Sequence, residues 1–449
     1  MHPKSLFRGR RFGFLLTALA LGAAALTTVL PIRAATAMAL ILVDAESGKV
    51  LRAENATYPW YPASTTKLMT LYMTLSAIRD QRITPDTLFT VSANANGQSP
   101  TKMGFAVGTQ VTVDNAIKMM MVKSANDMAV VLAEGVGGSV EAFAQRMTEA
   151  AHRLGMTESN FVNPNGLPDD GQIVSARDLA ILARALIRQF PEYSSYWHVP
   201  AIKYGRRVVR NYNPLLGRYA GADGMKTGFI CSSGFNLVAT ATRDNRQLIA
   251  VVLGAPTSAA RAQKAAELLE SGFARSVFAW LLPAFGNVNA LAPIEAAPPD
   301  LKDDMCGPHR KRQKLEAAMA DSADPDAGEG SDNAGGETNS QNPNPVTALR
   351  APVPKNLLSE PGPVTPVVVY TGPTRTAEQI AALAALPAYE PSKKKDKHKG
   401  GAKTAEAKQV EGKPEGKKEI KKDGGKGPAK PAQHKPSSGK TTDRTTTAQ

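Results

Sequence analysis

Of its 449 residues this chain spends only two on cysteine and six on histidine, and each scarcity excludes a chemistry. Two cysteines, Cys231 and Cys306, are too few for a disulfide scaffold, although an oxidising compartment permits one bond between them. The histidines (His2, His152, His198, His309, His398 and His434) stand outside every motif found below, so a Ser-His-Asp triad has no obvious member. His152 and His198 read as ordinary packing or surface residues. No metal-ligand spacing occurs, and neither a metal nor a cofactor is expected.

Where the basic residues sit decides what the formal net charge of +14 means. Residues 391–449 hold 16 Lys and one Arg against seven Asp and Glu, a net of +10. Such a Lys/Gly/Pro/Ala stretch is expected to stay extended and solvated. At the other end, Lys4, Arg8, Arg10 and Arg11 precede an uncharged, largely apolar run from Phe12 to Leu30, and Ala35-Thr36-Ala37 fits a small-x-small cleavage site. Residues 1–37 therefore read as an export signal, with an uncleaved anchor as the alternative, since about 19 uncharged residues can span a bilayer. Export argues against a nucleic-acid partner and places the protein in the periplasm or cell envelope, at the membrane surface or free of it. The tail's partners would then be anionic lipids or cell-wall polymers.

Three short patterns carry chemistry. Ser64-Thr65-Thr66-Lys67 opens a run, Leu68 to Leu75, with no Gly, Pro or charge, which predicts a buried helix from about Ser64. Residues three apart share a helix face, so the Lys67 amine reaches the Ser64 hydroxyl. A serine becomes a nucleophile when a base takes its proton, and lysine serves once burial or a second cation lowers its pKa from about 10.4. Ser99-Pro100-Thr101-Lys102 and the pair Ser392 and Lys395 repeat the spacing, but no apolar helix continues from either. Further on stand Ser124-Ala125-Asn126, between two apolar runs, and Lys226-Thr227-Gly228, ahead of a strand-like region. Separately, these two could be a helix cap and an ordinary strand end.

In this order, Ser-x-x-Lys, Ser-x-Asn and Lys-Thr-Gly resemble the motif set of the penicillin-binding proteins and serine β-lactamases. Pro62 to Lys67, Asn163-Pro164-Asn165-Gly166-Leu167, Asp223 to Gly228 and Leu237 to Ala241 are similar to the low-molecular-mass D-alanyl-D-alanine carboxypeptidases, a likeness covering about Ala39 to Trp280. The resemblance implies removal of the terminal D-alanine from peptidoglycan stem peptides, with β-lactams as covalent inhibitors. It implies Ser64 as nucleophile, Lys67 as base and Ser124 as proton relay. Asn126 would hold the substrate amide, Lys226 and Thr227 its free carboxylate, Gly228 would allow close approach, and the Ser64 and Phe229 N–H groups would form the oxyanion hole. A D,D-endopeptidase acting on cross-links uses the same motifs and stays open. A class A β-lactamase would show Ser-Asp-Asn and a Glu-x-x-Leu-Asn loop, which this chain lacks. A non-catalytic cell-wall-binding protein sits badly with intact Ser64, Lys67, Ser124 and Lys226.

The expected fold is α+β and β-lactamase/transpeptidase-like: one antiparallel sheet assembled from both ends of the domain, with a helical lobe inserted and a disordered C-terminal tail. The expected organisation is a signal at 1–37, a D,D-peptidase domain at 38–285, a Pro/Ala-rich, largely disordered linker at 286–390 and the Lys-rich tail at 391–449. Helix is expected from near Asp114 to Ala133, Ser139 to Leu154, Ser175 to Pro191 and Arg261 to Trp280. Many relatives carry a compact β domain and an amphipathic anchor helix after the catalytic domain, and neither is read here. Cys231 and Cys306 either pair, pinning the root of the tail beside the site, or remain two thiols with Cys231 in the core.

Overall fold

The computed structural model describes residues 38–274, 286–308 and 357–389. Residues 1–37, where an export signal is expected, residues 275–285 and 309–356, and the Lys-rich stretch with Ser392 and Lys395 lie outside the described residues. Strands β1 (Ala39–Asp44) and β2 (Val50–Glu54) form the first hairpin. A 3-10 turn (Ala63–Thr66) runs into α1 (Lys67–Arg79), in which every side chain from Lys67 to Leu75 is buried. The Gly- and Asn-rich interval holds only β3 (Leu88–Thr90), the short α2 (Ala93–Gly97) and β4 (Gln110–Thr112). The helical lobe follows as α3 (Val113–Val122), α4 (Asn126–Gly137), α5 (Val140–Leu154) and α6 (Ala176–Gln189). Thr112, Ser139 and Ser175 cap three of these helices by accepting from the N–H three residues on, each cap worth about 1 kcal/mol.

After α7 (Ser195–His198) come the hairpin of β5 (Ala201–Tyr204) and β6 (Arg207–Arg210), then β7 (Ala222–Ile230), β8 (Gly234–Arg243), β9 (Arg246–Ala255) and α8 (Ser258–Phe273). The main sheet has the order β2-β1-β9-β8-β7, antiparallel throughout. Pairing of Ala39 with Leu253 through Asp44 with Leu248 joins the two ends of the domain, as the sequence led us to expect. Period-two alternation sends Ile41, Val43, Ile249 and Val251 to the helical lobe, and Leu40, Leu42, Leu248 and Ala250 to α8. Each fully buried aliphatic side chain contributes roughly 1.5–3 kcal/mol, so both faces of the sheet are firmly held.

The helices expected between Asp114 and Ala133 are α3 and α4, separated where Ser124 takes a left-handed φ of 59°. Helix α8 is described only as far as Phe273, so Val277 and Phe278 lie outside the described residues. The structure departs from the sequence expectations at 286–390, where both described parts are ordered against the domain. Val288, Leu301 and Met305 are buried, and a one-turn α9 (Lys302–Met305) leads to Cys306, which is disulfide-bonded to Cys231. Strand β10 (Val367–Val369) pairs in parallel with β5, and α10 (Ala377–Ala385) follows behind a capping box on Thr376. These segments have too few apolar residues to fold alone. They borrow order from the domain: Arg177 donates to Val288 O and Asn289 O, Arg218 to Ser359 O, and Tyr370 N donates to Asn115 Oδ1.

Candidate active site

The turn ahead of α1 is built around Ser64. Asn236 Nδ2, on β8, donates to Pro62 O, and the Thr65 and Thr66 hydroxyls donate back to Pro62 O and Ala63 O. Ala63 itself sits at φ +49°, a strained conformation for a residue with a Cβ, costing on the order of 1–3 kcal/mol. The loop Asn163 to Leu167 closes over this turn. Gly166, at φ +78°, passes so near that a Cβ there would lie 1.8 Å from Ala63 O. Gly228 on β7 approaches from the other side, where a Cβ would meet Pro62 O and Ser64 N at 2.9 Å.

Lys67 is fully buried. Its Nζ lies 2.9 Å from Ser64 Oγ, 2.8 Å from Asn126 Oδ1 and 2.6 Å from Asn165 O. Asn126 is oriented by its amide, which donates to Ser99 O at 2.9 Å. Both Asn126 Oδ1 and Asn165 O can only accept. A neutral amine has two hydrogens for those two acceptors and one lone pair left over, and that lone pair faces the Ser64 hydroxyl. Burial holds the Lys67 pKa well below the ordinary lysine value; the charge of Lys226 lowers it further, while Asp127 opposes them.

Lys226, on the edge strand β7, is also buried and donates to Ser124 Oγ and Thr227 O, each at 3.0 Å. Burial, and then the nearby Arg261, push its pKa down to about 7. Because Ser124 Oγ accepts from Lys226, its own hydrogen is available for another acceptor. Ser64, Ser124, Asn126, Thr227, Gly228 and Phe229 line one cleft of about 450 Å³, with Pro100, Leu167, Tyr212 and Ile230 also on its walls. All eight residues singled out in the three motifs therefore converge. The Ser99/Lys102 pair does not: Ser99 is exposed, and Lys102 Nζ donates to Asn96 O.

Two charged groups escaped the sequence reading. Arg261, on α8, lines the cleft, donates to Asn236 O and Ser258 Oγ, and keeps a buried, unpartnered Nε. Its signal was present: it shares the buried face of Ala265, Leu268 and Leu269, where a cation is out of place. Asp127 is fully buried, and its carboxylate accepts from Met103 N, Gly104 N and Met128 N. It thereby ties down the loop whose Thr101 O accepts from Asn126 N. Among the described residues no cluster of His, Cys, Asp and Glu could hold a metal ion.

The family model described as D-alanyl-D-alanine carboxypeptidase matches residues 25–257. D-alanyl-D-alanine carboxypeptidase DacA of Haemophilus influenzae is 37% identical over 244 residues, covering 53% of this chain and 62% of that protein. DacC of Escherichia coli is 38% identical over 244 residues, covering 53% of this chain and 61% of that protein. The chain thus spans about three-fifths of the length of these relatives. Penicillin binding protein 5 of Haemophilus influenzae superposes with a TM-score of 0.51 at 36% identity, over 53% of this chain and 71% of that structure. DacD of Francisella tularensis gives 0.51 at 30% identity, over 53% and 70%. The fold is thus that of the penicillin-binding proteins, an antiparallel sheet with a helical lobe.

The buried lysines make a stability prediction. Between about pH 7 and 10 an unfolded chain still holds a proton on residue 226 that the folded protein has released. The unfolded state binds more protons there, so the unfolding free energy gains a contribution that rises with pH. Lys67, lowered in the same direction, adds to the rise. Lys226→Met should therefore flatten part of this rise in denaturant titrations across that range. An unchanged slope would mean that residue 226 titrates as an ordinary lysine.

Proposed function

The chain belongs to the D-alanyl-D-alanine carboxypeptidase family, and we propose that it is an exported serine D,D-carboxypeptidase that removes the terminal D-alanine from peptidoglycan pentapeptide stems. The observation that carries this reading is the buried amine of Lys67, 2.9 Å from Ser64 Oγ, with both of its other partners able only to accept. In the proposed reaction Lys67 takes the Ser64 proton as Oγ attacks the carbonyl of the D-Ala-D-Ala bond. The oxyanion is held by the backbone N–H groups of Ser64 and Phe229, an effect worth about 3 kcal/mol per donor. Lys67 then gives up that proton by way of Ser124, which relays it to the departing D-alanine nitrogen and leaves the amine neutral again; the hydrogen bond from Lys226 fixes the acceptor side of Ser124. Water then releases the acyl group from Ser64, with Lys67 again as base.

Asn126 holds the substrate amide. Lys226 and Thr227 bind the free carboxylate, with Arg261 as a second cation on the cleft wall. Gly228 matters because any side chain there would strike the Ser64 turn. A β-lactam, which carries the same carboxylate and a reactive amide, is expected to acylate Ser64. Among the described residues no helix is long and apolar enough to cross a membrane. We infer from its net charge that the Lys-rich tail provides electrostatic contact with anionic lipids or cell-wall polymers, about 1 kcal/mol per Lys at an anionic surface.

Three outcomes test this reading. Ser64→Ala should abolish both D-alanine release from a pentapeptide and covalent labelling by a β-lactam, whereas Ser99→Ala should retain both; the reverse pattern would move the nucleophile. Lys226→Ala should weaken substrates with a free carboxylate far more than amidated ones, and equal losses would remove the carboxylate clamp. Deleting residues 391–449 should leave turnover of a small soluble peptide unchanged while lowering retention on anionic vesicles at low salt. Equal retention at every ionic strength would reduce the tail to a solubilising segment.

A further inference from the structure

We propose that residues 301–306 are part of the substrate cleft's framework, and that Cys231 and Cys306 are positioning residues which hold the Phe229–Ile230 rim in register for substrate. The proposal rests on the D,D-carboxypeptidase reading and adds to it a segment that lies beyond the region matched by the family model.

Strand β7 ends the sheet and, among the described residues, has only β8 paired beside it. An edge strand is held from one side, and its last residues are the least restrained. Those last residues are Phe229 and Ile230, both on the cleft wall. Phe229 is 39% exposed and leans on Phe235 with ring centroids 4.2 Å apart. The turn beyond them, 231–233, therefore decides where the rim stands.

Two sets of contacts fix that turn. From the domain, Trp60 Nε1 donates to Ser233 O at 3.0 Å. From the segment beyond the domain, Leu301 N donates to Ser232 O at 2.9 Å, and Cys306 is bonded to Cys231, two residues from Phe229. The anchor behind this second set is apolar: Leu301 and Met305 are 1% and 7% exposed and belong to the main core. Between them runs a single helical turn, Lys302–Met305, which has no stability of its own. The segment is thus tied at its buried side chains and at the disulfide, and the rim turn is tied to it.

Ser64 and Lys67, on α1 and its leading turn, and Asn126, on α4, are fastened independently of the rim, and Lys226 lies four residues before Ile230, paired with Val238. The Phe229 N–H, in contrast, is one of the two oxyanion donors of the proposed reaction. Loosening the rim should therefore leave the Ser64–Lys67 pair in place while weakening the hold on the transition state, lowering kcat more than it raises KM.

The test uses the oxidised full chain and a small soluble peptide ending in D-Ala-D-Ala. A dithiol reductant transfers two electrons and two protons to the Cys231–Cys306 bond, leaving two thiols and closing its own disulfide. Reduction well below the melting temperature should lower kcat roughly tenfold and leave KM within about twofold, since a displaced oxyanion donor acts on the transition state. Cys306→Ser should reproduce the change and abolish the response to reductant. If that variant does not fold, reduction of the folded wild-type chain carries the test alone. An unchanged kcat, a rise in KM with kcat constant, or free thiols in the oxidised protein would each overturn the proposal. If the oxidised wild type neither releases D-alanine nor labels with a β-lactam, the functional reading fails first, and this proposal fails with it.

Discussion

A buried amine kept without its proton beside a hydroxyl is the constraint on which the rest of this structure depends. Water would protonate Lys67, so water has to be excluded, and helices α1 and α4 and the loop around Asn165 do this together. Excluding water is not sufficient, because three good acceptors would invite an ammonium back. The balance is set by which neighbours can donate. Asn126 Oδ1 and Asn165 O cannot, whereas the Ser64 hydroxyl can, so the neutral amine satisfies every partner and already points its lone pair at the proton it would take.

That arrangement explains several features of the scaffold that otherwise look costly. Joining β1 to β9 makes one sheet from both ends of the domain and places β7 at its edge, against the turn that carries Ser64. Closeness at that junction forbids a Cβ at Gly166 and at Gly228. Ala63 and Ser124 are held at positive φ, each at a cost of roughly 1–3 kcal/mol. The packed core on both faces of the sheet offsets these local penalties, and the strain coincides with the residues whose aim matters most.

Much of this was legible in the sequence, for an identifiable reason. Ser64 and Lys67 announce themselves because helical spacing is a local property, and the strands announce themselves because alternation is. That helices fill Asp114 to Ala133 was legible from the two apolar runs flanking Ser124; the left-handed turn at Ser124 was not, because the contacts around it are tertiary, with Asn126 donating to Thr101 O and Ser99 O. Asp127 gave no signal, since two of its three partners, the Met103 and Gly104 N–H groups, lie more than twenty residues upstream. The pairing of Cys231 with Cys306 was one of two open readings and is present in the structure. The ordered parts of 286–390 were illegible because Leu301, Met305 and Val369 are isolated apolar residues whose burial depends on surfaces made elsewhere.

The charges at the site form a sequence of dependences. Arg261 helps to lower the Lys226 pKa to about 7, so near neutrality Lys226 is poised between its two forms. Lys226 in turn disfavours a proton on Lys67, and Asp127 works the other way. In the proposed reaction, a carboxylate arriving in the cleft would stabilise the charged form of Lys226 and so complete its own binding site. The same negative charge would offset the repulsion that Lys226 exerts on Lys67, making that amine a stronger base only once a substrate with a free carboxylate is in place. On that reading, recognition of the C-terminus and activation of the nucleophile are two consequences of one electrostatic balance, which would require the Lys-Thr-Gly and Ser-x-x-Lys motifs, far apart in sequence, to meet within one water-poor cleft.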